Sequence, residues 1–165
     1  TMRESVLSAK ELADEVKSGD EIKKALEDDA YNSSIYISVN TLEFLKKGGR
    51  ITPAAAMIGT MLNIKPILTI QGEKLDSFAK ARSMKKCQDK MLEALKSEIA
   101  GRFSHNDISR LKVGAAGAGL SEEEIENRLG MVKEALPNAK VFYGPLSASI
   151  ACHTGPGAVG IGISF

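Results

Sequence analysis

Lys65 to Ile70 and Leu75 to Ala81 are two strand-like runs joined through Gln71-Gly72, the composition of a tight hairpin turn. A hairpin requires adjacent antiparallel strands, so this chain cannot fold into a sheet assembled only from parallel strand–helix–strand units. The remaining segments fit that restriction. Ser33 to Val39 places Ile35, Ile37 and Val39 on one face of a strand and Tyr36 on the other, and Leu111 to Ala116, Val141 to Tyr143 and Val159 to Phe165 read as further strands. Between them lies helical periodicity. From Ser83 to about Arg102, Met84, Cys87, Met91, Leu95 and Ile99 recur every three or four residues, and Glu122 to Leu136 is a second helix, followed by Pro137. The mixed order predicts an α+β two-layer sandwich, a mixed β-sheet with helices, rather than a doubly wound fold.

Three Ser-x-x-Glu boxes, at Ser8/Glu11, Ser18/Glu21 and Ser121/Glu124, signal helix starts, because each pair can satisfy two orphan backbone donors reciprocally. The first two predict short helices at roughly 9–17 and 19–29, with Gly19 between them. Thr41 to Lys47 predicts a short helix stopped by Gly48-Gly49, and Thr52-Pro53 opens another that continues through Ala54 to Leu62. With 165 residues and neither repeat nor linker, the chain reads as one domain with a helical lead-in.

Composition excludes several functions. A net charge of +1 leaves no electrostatic footprint for nucleic acid, and Trp is absent. The longest apolar stretch, Ile51 to Ile70, is interrupted by Pro53, Gly59, Asn63, Lys65 and Pro66, so no membrane span is expected. Two cysteines, Cys87 and Cys152, do not make a disulfide framework and suit a reducing, cytoplasmic setting.

Two constellations carry candidate chemistry. In Gly48-Gly49-Arg50-Ile51-Thr52-Pro53, Arg50 precedes a helix N-terminus whose unpaired N–H groups favour an anion, and the following small, Met-containing apolar helix leaves room for a flexible ligand. The alternative is a helix cap and core helix with Arg50 in a structural salt bridge. In His153-Thr154-Gly155-Pro156-Gly157, an imidazole, a hydroxyl and backbone donors share a Gly/Pro-shaped turn that could face one bound oxygen; the alternative is a plain turn with a surface histidine. His105, in a polar segment, reads as a solvated loop residue. Cysteine catalysis by Cys152 and His153 is disfavoured, because neighbours on an extended segment point to opposite faces. Gly114-Ala115-Ala116-Gly117-Ala118-Gly119 lacks the spacing and the Lys-Ser/Thr of a phosphate loop, and no cluster has metal-ligand spacing. The basic run Lys80, Arg82, Lys85, Lys86 is either a solvated face or a docking patch for an acidic partner.

Leu42-Glu43-Phe44-Leu45-Lys46-Lys47-Gly48-Gly49-Arg50-Ile51, Leu62-Asn63-Ile64-Lys65-Pro66-Ile67-Leu68, Lys80-Ala81-Arg82-Ser83-Met84-Lys85-Lys86 and His153-Thr154-Gly155-Pro156-Gly157-Ala158 together resemble four ordered motifs of the DegV family of fatty-acid-binding proteins, in its C-terminal part. The resemblance implies a carrier, not an enzyme, with no cofactor and no metal. Such a carrier encloses one long-chain fatty acid and presents its carboxylate to a fatty-acid kinase of the dihydroxyacetone-kinase type, for acyl-phosphate formation in phospholipid synthesis. By the matching positions, Arg50, His153, Thr154 and Gly155 would form the carboxylate network. Ala55, Ile58, Met61, Leu62, Ile64 and Leu68 would line the acyl chain, and Arg82 would contact the kinase. Residues 33–165 would be the C-terminal α+β domain and 1–32 the end of an N-terminal α/β domain that is missing, since Thr1-Met2 is a poor natural start and nothing resembling that half precedes it. Half a site predicts weak fatty-acid binding by the chain alone and a homodimer through exposed apolar surface. Two other classes remain open: an interaction or regulatory domain whose apolar groove docks a partner protein, and an enzyme using Cys152 and His153.

Overall fold

The computed structural model describes residues 2–58, 64–71 and 74–165. Among these residues six strands form one mixed sheet: β1 (Ser33–Ser38), β2 (Lys65–Gln71), β3 (Lys74–Ala81), β4 (Lys112–Gly117), β5 (Lys140–Pro145) and β6 (Val159–Ser164). Their spatial order is β3-β2-β1-β6-β4-β5. Every pairing is antiparallel except β4 with β5. The expected hairpin is present as β2–β3, with Gln71 paired to Lys74 and a register shift at Ile67/Leu68; Gly72 itself lies outside the described residues. β6 lies at the centre, between β1 and β4, so it joins the two halves of the sheet.

Among the described residues seven α-helices accompany the sheet: α1 (Met2–Asp14), α2 (Gly19–Asp29), α3 (Glu43–Lys47), α4 (Pro53–Ile58), α5 (Met84–Ala100), α6 (Glu122–Ala135) and α7 (Ala148–Thr154). This is the expected α+β architecture. The two longest core helices, α5 and α6, cover one face, where Cys87, Met91 and Leu95 of α5 meet Ile67, Val113, Ile161 and Ile163 of the sheet. Burial pushes the Cys87 thiol pKa up, which leaves it a small core hydrophobe. The opposite face holds a smaller cluster under α3, α4 and α7, made of Ile37, Val39, Leu42, Leu45, Ile51, Ala55, Leu68, Ala118 and Ala158. Tyr36 faces the first cluster and Ile37 and Val39 the second, as the alternation in β1 requires.

Two capping boxes form as written. The hydroxyls of Ser18 and Ser121 accept from the backbone of Glu21 and Glu124, and those carboxylates accept from the Ser backbone in return. The same bonds hold both glutamate carboxyls below the usual carboxylate range. The third box fails. α1 begins at Met2 and runs straight through Ser8 and Glu11. Its first turn is anchored to the sheet, with Arg3 over the Phe142 ring at 4.5 Å and the buried Glu4 paired to Lys112 at 3.2 Å, so tertiary contact extends the helix past the local start signal. Helix α7 was not expected either; its seven residues are too few to display a helical period.

The glycines of the 114–119 segment are used for packing. A Cβ at Gly114 would lie 2.9 Å from the Phe142 ring, and one at Gly117 would overlap Leu120, so side chains occupy the space a phosphate loop would keep open. Among the described residues no helix is long and apolar enough to cross a membrane.

One polar residue is costly where it stands. Arg128 of α6 is buried beside Gln88, Met91 and Leu92, and its Nε has no hydrogen-bond partner among the described residues. Burial lowers its guanidinium to about 10. Arg128→Met keeps the apolar stem and removes the buried, unpaired Nε, so we expect it to stabilise the fold by about 1 kcal/mol in urea unfolding. A loss of that size instead would mean that the guanidinium is satisfied in solution.

Candidate functional site

The chain leaves α3 through Gly48-Gly49-Arg50. Gly49 has φ of +62°, its N–H donates to Lys46 O at 3.1 Å, and the Arg50 N–H donates to Leu45 O at 3.1 Å. This pair of bonds, with a left-handed glycine between, is the common glycine stop of an α-helix, and it sets the direction in which Arg50 departs. Arg50 then joins the sheet side: its carbonyl accepts from Leu75 N at 3.2 Å, and Thr52 N donates to Leu75 O at 3.1 Å. The guanidinium is exposed and turns back to donate to Gly48 O at 3.3 Å. Arg50 makes no ion pair among the described residues, so the structural salt bridge that was its alternative role is not seen there.

The start of α4 is less open to an anion than its sequence suggests. Thr52 caps it by accepting from Ala55 N at 3.2 Å, and the same hydroxyl donates to Asp76 at 2.9 Å. A carboxylate already sits at that end and would repel a second one. The Arg50 guanidinium therefore lies beside Gly48 and not at the helix terminus.

His153 and Thr154 do not lie in a turn. They form the last turn of α7, and the Gly/Pro turn starts after them, at Gly155 with φ of +77° and ψ of 170°. The Thr154 hydroxyl, buried, donates to Ile150 O at 3.2 Å, and Gly155 N–H donates to Ala151 O at 2.8 Å. Gly157 N–H donates to Ala118 O at 2.9 Å. The donors expected to converge on a ligand oxygen here are thus engaged with the backbone, whereas the imidazole of half-buried His153 has no such engagement among the described residues. Cys152 is exposed and bonds to Ser149 O at 3.2 Å. On a helix, successive residues point about 100° apart, so Cys152 and His153 still do not face each other, although the extended segment invoked for that separation is absent.

α3 and α7 pack end against end, each lodging a ring where the other has glycine. A Cβ on Gly48 would overlap Nδ1 of His153 and stand 3.0 Å from its Cε1. A Cβ on Gly155 would lie 2.6 Å from Cδ2 of Phe44. Asn40 completes the seam, donating to Pro156 O at 3.3 Å. Arg50 and His153, about a hundred residues apart in sequence, are thereby both brought to Gly48.

Of the apolar positions singled out, Ala55 and Leu68 are fully buried in the cluster below this seam, and Ile64 is half-buried. Met61, Leu62 and the side chain of Ile58 lie outside the described residues. Phe44, Met57 and Ile150, one on each of the three short helices, are exposed apolar side chains. Arg82 stands exposed in the two-residue turn from β3 to α5, apart in sequence and element from the seam. Sequence reading missed Phe44 and Asn40 as parts of this site; the glycines opposite them were visible, but not what they face.

Known proteins resemble this chain along nearly its whole length. The family model described as "Uncharacterised protein, DegV family" matches residues 2–165. A DegV domain-containing protein of Clostridium perfringens is 34% identical over 156 residues, 94% of this chain and 52% of that protein. One from Clostridium acetobutylicum is 36% identical over 148 residues, 88% of this chain and 50% of that protein. The chain thus spans about half the length of the curated relatives it matches. Among solved structures, DegV of Bacillus subtilis, described as a fatty acid binding protein, has a TM-score of 0.80 at 28% identity, covering 98% of this chain and 55% of that one. A fatty-acid-binding DegV family protein from Thermus thermophilus has a TM-score of 0.80 at 33% identity, covering 97% and 55%.

Proposed function

The chain belongs to the DegV family, and from that premise we propose that it is the C-terminal part of a fatty-acid carrier that holds a long-chain fatty acid by its carboxylate at Arg50 and His153. The observation that carries this reading is the meeting of these two side chains at Gly48, above an apolar cluster and beside exposed Phe44, Met57 and Ile150. An exposed guanidinium with no ion pair among the described residues is suited to a carboxylate. The apolar wall supplies affinity: about 0.8 kcal/mol per buried CH₂ gives a long acyl chain roughly 10 kcal/mol before entropy costs. Arg50 and His153 then fix orientation and offset desolvation of the headgroup.

In this reading the protein has no chemistry of its own. It works in the cytoplasm, and a fatty-acid kinase of the dihydroxyacetone-kinase type takes the presented carboxylate, with exposed Arg82 as a contact for that partner. Residues 1–32 end an N-terminal α/β domain that supplies the other wall of the tunnel, and 33–165 form the C-terminal domain. Thr154 and Gly155 shape the headgroup corner, Thr154 by turning its hydroxyl hydrogen from Ile150 O to the carboxylate and Gly155 through its turn.

Binding of oleate by the chain alone, and by a form extended to the relatives' full length, tests this directly. Half a wall leaves most of the acyl chain in water, so the chain alone should bind weakly or not at all, and pair into dimers through its apolar face. The extended form should bind tightly and yield fatty acid on extraction and mass spectrometry. Nanomolar binding by the chain alone would overturn the division of the site, and a lipid-free extended form that ignores oleate would overturn the carrier.

A further inference from the structure

The two glycines that end α3 are needed for different reasons, and only one of them is a matter of backbone conformation. Gly49 occupies the left-handed region, at φ of +62°, with open space where a Cβ would stand. Gly48 has φ of −79° and ψ of −5°, which any residue adopts. Its missing side chain matters because the imidazole of His153 fills the volume, with Nδ1 overlapping and Cε1 3.0 Å from the position of a Cβ. Gly48 O also accepts from the Arg50 guanidinium at 3.3 Å. One residue therefore touches both candidate headgroup ligands, through its carbonyl and through its lack of a Cβ.

We infer that Gly48 is a positioning residue, whose bare Cα seats the His153 ring against the α3 terminus and so sets its separation from Arg50. This rests on the reading of Arg50 and His153 as the carboxylate pair. The ring is the movable partner in the contact, since it ends a side chain while Gly48 belongs to the backbone. A methyl at position 48 displaces the imidazole without breaking the helix stop, which Gly49 supplies. Arg50 stays where it is.

The test compares wild type, Gly48→Ala, His153→Ala and the double variant, in this chain for folding and ring position and in the form extended to the relatives' full length for ligand affinity. Three quantities are read: the unfolding midpoint, the His153 ring resonances by NMR, and the affinity for octanoate followed by NMR titration. Gly48→Ala should leave the midpoint unchanged, because φ of −79° suits alanine, while the His153 resonances move and their through-space contacts to residue 48 change. Octanoate affinity should fall by about tenfold, the size of one lost charge-assisted hydrogen bond. The double variant should bind no worse than His153→Ala, since both changes act through one ring. Unmoved His153 resonances in Gly48→Ala overturn the inference, whatever happens to octanoate. Moved resonances with unaltered octanoate binding leave the seat in place and overturn the headgroup role of His153 instead. Equal losses that simply add in the double variant also overturn the inference, because Gly48 would then act on something other than the imidazole.

Discussion

Arg50→Ala in a full-length carrier is expected to weaken fatty-acid binding between about tenfold and a hundredfold while leaving folding intact. The size follows from the hydrogen bonds of a guanidinium to a carboxylate, about 1.5–3 kcal/mol where the pair is shielded from water. Folding is spared because the side chain is exposed and its hydrogen bond among the described residues runs back to Gly48 O, two residues away. The acyl chain would keep most of its apolar contacts, so residual binding should survive with the headgroup poorly oriented. If the proposed kinase takes the presented carboxylate, acyl-phosphate formation should drop further than affinity does, since transfer depends on orientation as well as occupancy. His153→Ala should behave in the same direction with a smaller loss. Titration with oleate, acyl-phosphate assay and thermal unfolding on the same samples separate these quantities. Normal acyl-phosphate formation by either variant would remove that residue from the headgroup network.

Gly155→Ala should destabilise the fold by about 2–4 kcal/mol, a large share of the stability of a domain this size. Two costs add. At φ of +77° and ψ of 170° the backbone occupies a region almost closed to residues with a side chain. The new methyl would also stand 2.6 Å from the Phe44 ring, which is itself lodged against α7. Phe44→Ala should relieve the second cost but not the first, so Phe44→Ala with Gly155→Ala should lose less than the sum of the two changes. Urea unfolding of the four forms measures this. An alanine at 155 within the range of a surface substitution would show that the α3–α7 seam is looser than its geometry. The contrast with Gly48 is instructive, because a methyl there meets a ring free to leave, and here it meets both a ring and a forbidden backbone.

Much of the architecture was legible because local signals and tertiary packing agree. The period of Met84, Cys87, Met91 and Leu95 matched the buried stripe of α5, and the Ser18 and Ser121 boxes marked true helix starts. The β2–β3 hairpin and the alternation in β1 were readable for the same reason: each is settled within a few residues. The Ser8 box misled because its competitor was distant, the docking of Arg3 and Glu4 on Phe142 and Lys112. The anion site at the start of α4 misled in the same way, since Asp76 reaches Thr52 from the neighbouring strand.

For the candidate site, sequence by itself determined which groups were available: an arginine behind a glycine stop, a histidine ahead of a Gly/Pro turn, and small apolar residues between strands. Those follow from residue type and short-range geometry. Only the tertiary structure decided that Arg50 and His153 share Gly48, that the Thr154 hydroxyl and the Gly155 N–H donate within their own helix, and that rings fill the spaces left by Gly48 and Gly155. The physical reason is that β6 closes the centre of the sheet and carries α7 back against α3, a pairing between segments about a hundred residues apart that leaves no trace in the spacing of either one.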